Sequence, residues 1–443
     1  MLEKDSLEIL KNSLVQLENG FSELPEFESS VDIERLGKVL DQVALRMQDN
    51  FPYFHPFYAG QMLKPPHPIA RLGYMLAMWI NPNNHALDGG KASSEMEKEV
   101  VADLAKMFGW DQHIGHLCGG GTMANMEALW VSRHIHPQKA IAASQLSHYT
   151  HSRISEVLGI SYFSISCTPE GILDIDQLEE LLQREQIGTV VATMGTTGTG
   201  SVDPLPELLE LQTQYGFRIH ADCAYGGYFY LASNLSSGTR EKFDGLHQVD
   251  SIVIDPHKHG LQPYGCGCVL FRDPKVGAYY KHDSPYTYFS SEELHLGEIS
   301  LECSRAGAAA VGLWATHQYM PLEANGEFGK LLTDCRGAAL RLLALIETHA
   351  EFLMLNSVEL DILCFAKRKS TTSEISHESQ RIFQEAAKQG VHLALLNHPT
   401  DKLPPSWNEI QIDSEYVTCL RSVLMKPEHK QWTDQIWNII ISI

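Results

Sequence analysis

The run Ser251-Ile252-Val253-Ile254-Asp255-Pro256-His257-Lys258-His259-Gly260 passes within ten residues from an apolar, β-branched segment to a cluster of charge. The pattern predicts a short buried strand that ends directly in Asp-Pro-His-Lys. Lysine is disfavoured at the buried end of a strand unless its amine is used. A desolvated lysine has a lowered pKa and can condense with an aldehyde. A lysine that merely snorkels out of a strand end is the commoner reading of the residue in isolation. A glycine-rich strand, Tyr264-Gly265-Cys266-Gly267-Cys268-Val269-Leu270, follows.

Upstream, Arg218-Ile219-His220-Ala221-Asp222-Cys223-Ala224-Tyr225-Gly226-Gly227 repeats the theme of a strand closing on a carboxylate and then small residues. A carboxylate there can hold a protonated ring nitrogen, and Ala224 leaves room for a flat ring. A helix-capping Asp is the plainer alternative. Asp222 precedes Lys258 by about one strand–helix–strand crossover. Further back, Gly119-Gly120-Gly121-Thr122-Met123-Ala124-Asn125 opens a helical pattern, and free N–H groups beside glycines form a phosphate cradle. Ser144-Gln145-Leu146-Ser147-His148 offers an imidazole able to stack on a ring, and Gly195-Thr196-Thr197-Gly198 offers hydroxyls at a strand's carboxyl end.

Between these pieces, helical stretches over 96–108, 123–133, 178–184 and 205–215 alternate with short apolar runs over 188–194, 218–221, 251–254 and 267–271. The alternation predicts an α/β fold with a mainly parallel sheet covered on both faces, whose ligands bind beyond the carboxyl ends of the strands. Helical patterns return over 306–319 and 329–349, and a carboxy-terminal α+β region runs to Ile443. At the other end, Leu7, Leu10, Leu14 and Leu17 form one helical stripe, and Ile33, Leu36, Val39, Leu40 and Val43 form a second. Such stripes must be buried on their own domain or on a partner subunit. A proline- and aromatic-rich passage from Phe51 to Pro68 separates them from the body and predicts irregular structure.

The formal charge of −21 argues against nucleic-acid and membrane-surface partners. No run approaches the ~18 apolar residues that span a bilayer. The amino terminus lacks the basic start and apolar run of a signal peptide, and nine scattered Cys read as reduced thiols in a cytoplasmic protein. His113, His116 and Cys118 lack the second ligand pair of a zinc site, so no metal is expected. Cys303-Ser304-Arg305 has no base assigned by spacing, and Arg305 reads as a structural or site-rim residue.

In their order along the chain, these motifs resemble those of the group II pyridoxal-phosphate-dependent amino-acid decarboxylases, the glutamate, cysteine-sulfinate and aromatic amino-acid decarboxylase family. The resemblance covers roughly residues 50 to 310 and implies fold-type I, with a seven-stranded large domain and a small α+β domain. On that basis residues 1–65 are expected to be an amino-terminal docking segment, 66–310 the cofactor domain and 311–443 the small domain. A homodimer with active sites at its interface is also implied.

The resemblance makes Lys258 the lysine that carries pyridoxal phosphate, Asp222 the pyridinium partner, Ala224 the residue under the ring and His148 the one above it. Gly121, Thr122 and His257 fall on the phosphate side, and Thr197 near the ring. Asp255 replaces the Asn of some members, and its charge would repel a phosphate unless it faced elsewhere. A loop tyrosine that assists protonation at Cα corresponds to Tyr288 or, next, Tyr286. Gln61, in His55-Pro56-Phe57-Tyr58-Ala59-Gly60-Gln61, and Arg421, in Cys419-Leu420-Arg421-Ser422-Val423, resemble substrate-side positions. Arginine is a bidentate fork for carboxylates, so a small acidic L-amino acid is the expected substrate. The competing readings are an aminotransferase or aldehyde lyase of the same fold, or a non-catalytic scaffold that keeps it.

Overall fold

The four β-branched runs are strands, and they form the middle of one large sheet. The computed structural model describes residues 3–25, 30–281 and 295–443. Two helices come first, α1 (Ser6–Asn19) and α2 (Ile33–Met47), followed by α3 (Pro68–Met78) and α4 (Leu87–Met107). Strands and helices then alternate through β1 (Ile114–Cys118), α5 (Gly121–Ile135), β2 (Ala140–Ser144), α6 (Thr150–Leu158) and β3 (Tyr162–Ile165). The series continues with α7 (Ile175–Leu182), β4 (Ile187–Thr193), α8 (Leu205–Tyr215), β5 (Arg218–Asp222), α9 (Ser237–Asp244), β6 (Ser251–Ile254) and β7 (Gly267–Phe271).

Among the described residues the large sheet has seven strands in the order β1-β7-β6-β5-β4-β2-β3. Only β7 runs antiparallel to its neighbours, β1 and β6; the other pairs are parallel. Every residue of β4, β6 and β7 is buried, as expected of a sheet covered on both faces. Fully burying one of their Val or Ile side chains contributes roughly 1.5–3 kcal/mol, so the strand ends that carry the polar groups are rigidly held.

The composition turns helical again at α10 (Gly307–Tyr319) and α11 (Glu327–Glu347). Then β8 (Phe352–Met354), β9 (Ile362–Lys367), α12 (Thr372–Lys388), β10 (Ala394–Pro399), β11 (Tyr416–Val423) and α13 (His429–Ile441) build the carboxy-terminal α+β part. Its sheet is antiparallel, in the order β10-β11-β9-β8. Residue 311 falls inside α10, which packs on α3 and α4.

Strands β1, β2 and β3 do not stand out in the sequence. β2 is Ala-Ile-Ala-Ala-Ser, which has little β-branching, yet it is wholly buried. Tertiary burial overrides its weak propensity. His116 and Cys118, weighed as metal ligands, lie on β1; His116 Nε2 meets Glu127 2.8 Å away, with both side chains buried.

Candidate active site

The carboxyl ends of β4, β5 and β6 open on a cavity of about 520 Å³. Asp222 is the last residue of β5, Thr193 the last of β4, and Lys258 sits four residues beyond β6. Gly121, Thr122, His148 and Thr197 line the same cavity, as do Asp222, Ala224, His257 and Lys258. The structure therefore gathers every expected cofactor-side residue around one space.

Asp222 Oδ2 lies 2.8 Å from Nε2 of the fully buried His151 and accepts from Asn125 Nδ2 at 3.3 Å. Its Oδ1 accepts the Ala224 N–H at 3.1 Å. Burial alone would push this carboxyl up, but the hydrogen bond and charge of His151, with Lys258 and His220, outweigh it and hold it well below the usual range. Behind Asp222, His220 meets Asn125 Oδ1 at 2.8 Å and Ser251 Oγ at 2.9 Å; burial first, then His151, drives its pKa down to about 3. A neutral His220 thus orients Asn125, which orients Asp222. His148 Nδ1 pairs with Thr150 Oγ1 at 2.8 Å, and burial keeps its pKa low against the pull of Asp222.

At the other end, Gly120 takes φ 145°, a conformation open to glycine alone. A Cβ on Gly267 of β7 would lie 2.6 Å from Gly120. Glycines at the start of α5 and on β7 let the α5 amino terminus approach the cavity. Asp255 does not face away from it, as charge repulsion alone would suggest. Its Oδ2 lies 3.0 Å from Lys258 Nζ and 3.5 Å from His257 Nε2, so the neighbouring lysine matches its charge. Behind the lysine, His259 Nε2 lies 3.2 Å from Asp361 Oδ2, and Tyr225 Oη donates to Asp361 Oδ1 at 2.6 Å. His151, Asn125, His220, Tyr225 and Asp361 were missed in the sequence.

The substrate-side residues stand differently. Arg421 is 4% exposed. Its Nε donates to Gly198 O at 2.9 Å and its Nη2 to Thr197 O at 2.6 Å. Its Nη1 reaches Gln61 Oε1 at 3.1 Å and Gly60 O at 3.4 Å. Arg421 and Gln61 therefore meet each other beside Thr197 rather than in the cavity wall. Tyr288 and Tyr286 lie outside the described residues. Arg305 is structural: it bonds Glu97 at 2.6 Å as well as the Leu117 and Asn84 carbonyls.

The cavity fits pyridoxal phosphate. A helix amino terminus with three glycines suits the phosphate, and an ionised Asp222 suits a protonated ring nitrogen. Thr193 Oγ1, Asp255 Oδ1 and His257 Nδ1, all buried on lining residues, have no hydrogen-bond partner among the described residues. A lysine, a buried carboxylate and a helix amino terminus around one cavity at the strand ends are the groups a pyridoxal-phosphate-dependent enzyme needs. Residues 30–368 match the pyridoxal-dependent decarboxylase conserved domain, and the chain belongs to that family.

Among its relatives, the L-tyrosine decarboxylase of Enterococcus faecium is 27% identical, over 70% of this chain and 67% of that one. The probable L-tyrosine/L-aspartate decarboxylase of Methanothermobacter thermautotrophicus is 28% identical, over 69% of this chain and 82% of that one. Mouse CSAD superposes with a TM-score of 0.79 at 19% identity, covering 99% of this chain and 91% of that one. Oryza sativa TDC with PLP and tryptamine gives 0.79 at 17%, covering 100% and 99%. At such identities these structures speak for the fold. Among the described residues no helix is long and apolar enough to cross a membrane.

Proposed function

We propose that this chain removes the α-carboxyl group of a small L-amino acid, with Lys258 as the point of covalent attachment for pyridoxal phosphate. The observation that carries this reading is the placement of Lys258 and a charge-stabilised Asp222 on one cavity. When bound, the cofactor supplies the electron sink for the carbon–carboxyl bond. Asp222, held by His151 and Asn125, keeps a negative charge against the ring nitrogen. Ala224 and His148 would bound the ring's two faces, and Gly121, Thr122 and His257 would hold the phosphate. Thr197 would lie near the ring, and Tyr288, or Tyr286, is the candidate to deliver the proton to Cα.

An acidic side chain is the first substrate reading. It is supported by the Arg421–Gln61 pair beside Thr197 and by relatives named for aspartate. An aromatic substrate is the second, favoured because Arg421 already spends its donors on Gly198, Thr197, Gly60 and Gln61 and because other relatives are named for tyrosine.

The test is a panel of L-aspartate, L-glutamate, L-tyrosine and other amino acids, followed for carbon dioxide and amine. Release of both from one member without keto acid is expected; keto-acid formation would overturn the reading. Exclusive turnover of tyrosine would select the second substrate class.

The assembly reading is a homodimer with its sites at the interface. Residues 1–65 serve as the docking segment, 66–310 as the cofactor domain and 311–443 as the small domain. No residue of α2 is buried, and Leu36, Val39, Leu40 and Val43 are each about half exposed on it. Apolar surface of that extent calls for a partner. Light scattering is expected to give a dimer that Leu36→Lys with Leu40→Lys dissociates; a monomeric wild type would refute the assembly. The setting is read as cytoplasmic, supported by nine cysteines that all remain unpaired.

A further inference from the structure

A second cavity, of about 440 Å³, lies between the segment leading into α3, Leu261 and the turn at 426–428. Two lysines line it. Lys426 is 3% exposed; its Nζ donates to Tyr58 O at 2.6 Å and sits 5.1 Å from the Tyr58 ring centroid. Lys64 Nζ donates to Met425 O at 3.1 Å. Among the described residues no carboxylate lies within ion-pair distance of either ammonium, and each has a single hydrogen-bond acceptor. An ammonium carries three donors, so four N–H groups remain to be satisfied around one space. Burying an unpaired charge is costly. Burial first, and then the charge of Lys64, brings Lys426 down to about 7.

The rest of the lining defines what would fit. Arg71 is already paired with Glu3 at 2.6 Å, and His67 Nδ1 accepts from Ile69 N. Glu327 and Glu428 border the cavity and are exposed. Phe54, Leu261, Met320 and Leu331 supply apolar wall. A buried and a half-buried lysine with spare donors, exposed acids and an apolar flank suit a molecule with a carboxylate at one end and a cation at the other.

Leu261 ties the cavity to the catalytic segment. It takes φ 66° although it is not glycine, its carbonyl accepts the His67 N–H at 2.9 Å, and its own N–H points to Lys258 O at 3.5 Å. A ligand against Leu261 touches the chain three residues from Lys258.

We infer that this second cavity binds a small carboxylate between Lys64 and Lys426, an amino acid in its zwitterionic form being the best match. The site is separate from the catalytic one and does not depend on the decarboxylase reading. It is tested by titration calorimetry on the full-length holoenzyme with two probes, sodium propionate and trimethylglycine. Trimethylglycine is a zwitterion with no N–H to condense with an aldehyde.

One site per chain is expected, with trimethylglycine tighter than propionate. Binding should weaken at least tenfold in Lys64→Gln and in Lys426→Gln, and persist in Lys426→Arg, which keeps the charge. Circular dichroism confirms that each variant is folded. Equal binding of both probes, lost in the Gln variants, would support the carboxylate site and discard the zwitterion. Absence of binding by the wild type, or binding unchanged in both Gln variants, would overturn the inference.

Discussion

Lys258, Asp222 and Thr193 stand at or just past the ends of three neighbouring strands, whereas Gln61 and Arg421 reach each other from positions 360 residues apart. In the first group the backbone does the positioning: a parallel sheet brings β4, β5 and β6 side by side, and a carboxylate or lysine at a strand end inherits its location. In the second group the positioning is done by side-chain hydrogen bonds, and Arg421 serves the backbone of the 197–198 turn as much as any ligand. Chemistry at strand ends can be read from local sequence. Chemistry assembled from distant segments needs the fold.

Substitutions on the two sides should separate these roles. The largest effect is expected from Asp222→Asn, which keeps the shape and removes the charge: kcat should fall on the order of 10²-fold while the fold persists by circular dichroism. Arg421→Met should act mainly on stability. It strands the carbonyls of the buried Gly60 and the half-buried Gly198, besides that of the exposed Thr197, and a loss of roughly 2 kcal/mol in denaturant unfolding is expected. If Arg421 also meets the substrate, KM for an acidic amino acid will rise while that for an aromatic one stays put. An equal change in both would leave it a purely structural residue.

His151→Asn should cost less, roughly tenfold in kcat by the scale of outer-shell losses. It should also shift the pH at which the bound cofactor's absorption changes, which a merely structural role would not do. The smallest effect concerns acid stability. The folded Asp222 carboxyl titrates below its ordinary value of 3.8, so its contribution is complete above that pH and is lost as the pH falls further. Unfolding curves between pH 2 and 6 should show an acid limb that is shallower in Asp222→Asn.

How much was legible follows from the same contrast. β6 and β7 announced themselves through β-branched runs and match their expected bounds at 251–254 and 267–271. The alanine-rich β2 carries no such signal, because burial rather than propensity makes it a strand; β3, Tyr-Phe-Ser-Ile, has β-forming residues but is only four residues long and has one buried residue, too short a run to stand out. The cofactor-side residues all converge on one cavity, since each sits next to a strand end or helix start. His151 was hidden because its partner is 71 residues away and nothing in a Tyr-Thr-His run marks a carboxylate contact. Arg421 was visible as a candidate, but its commitments to Gly198 and Thr197 were not, since a main-chain acceptor leaves no trace in the side-chain sequence.

The central claim is that Lys258 carries the cofactor. Reduction of the holoenzyme with borohydride, followed by proteolysis and peptide mass mapping, tests it directly. The account predicts a pyridoxyl-phosphate mass increment on the peptide containing Asp255-Pro256-His257-Lys258 and on no other. An increment on a different lysine, such as the buried Lys426, or no increment at all, would contradict it.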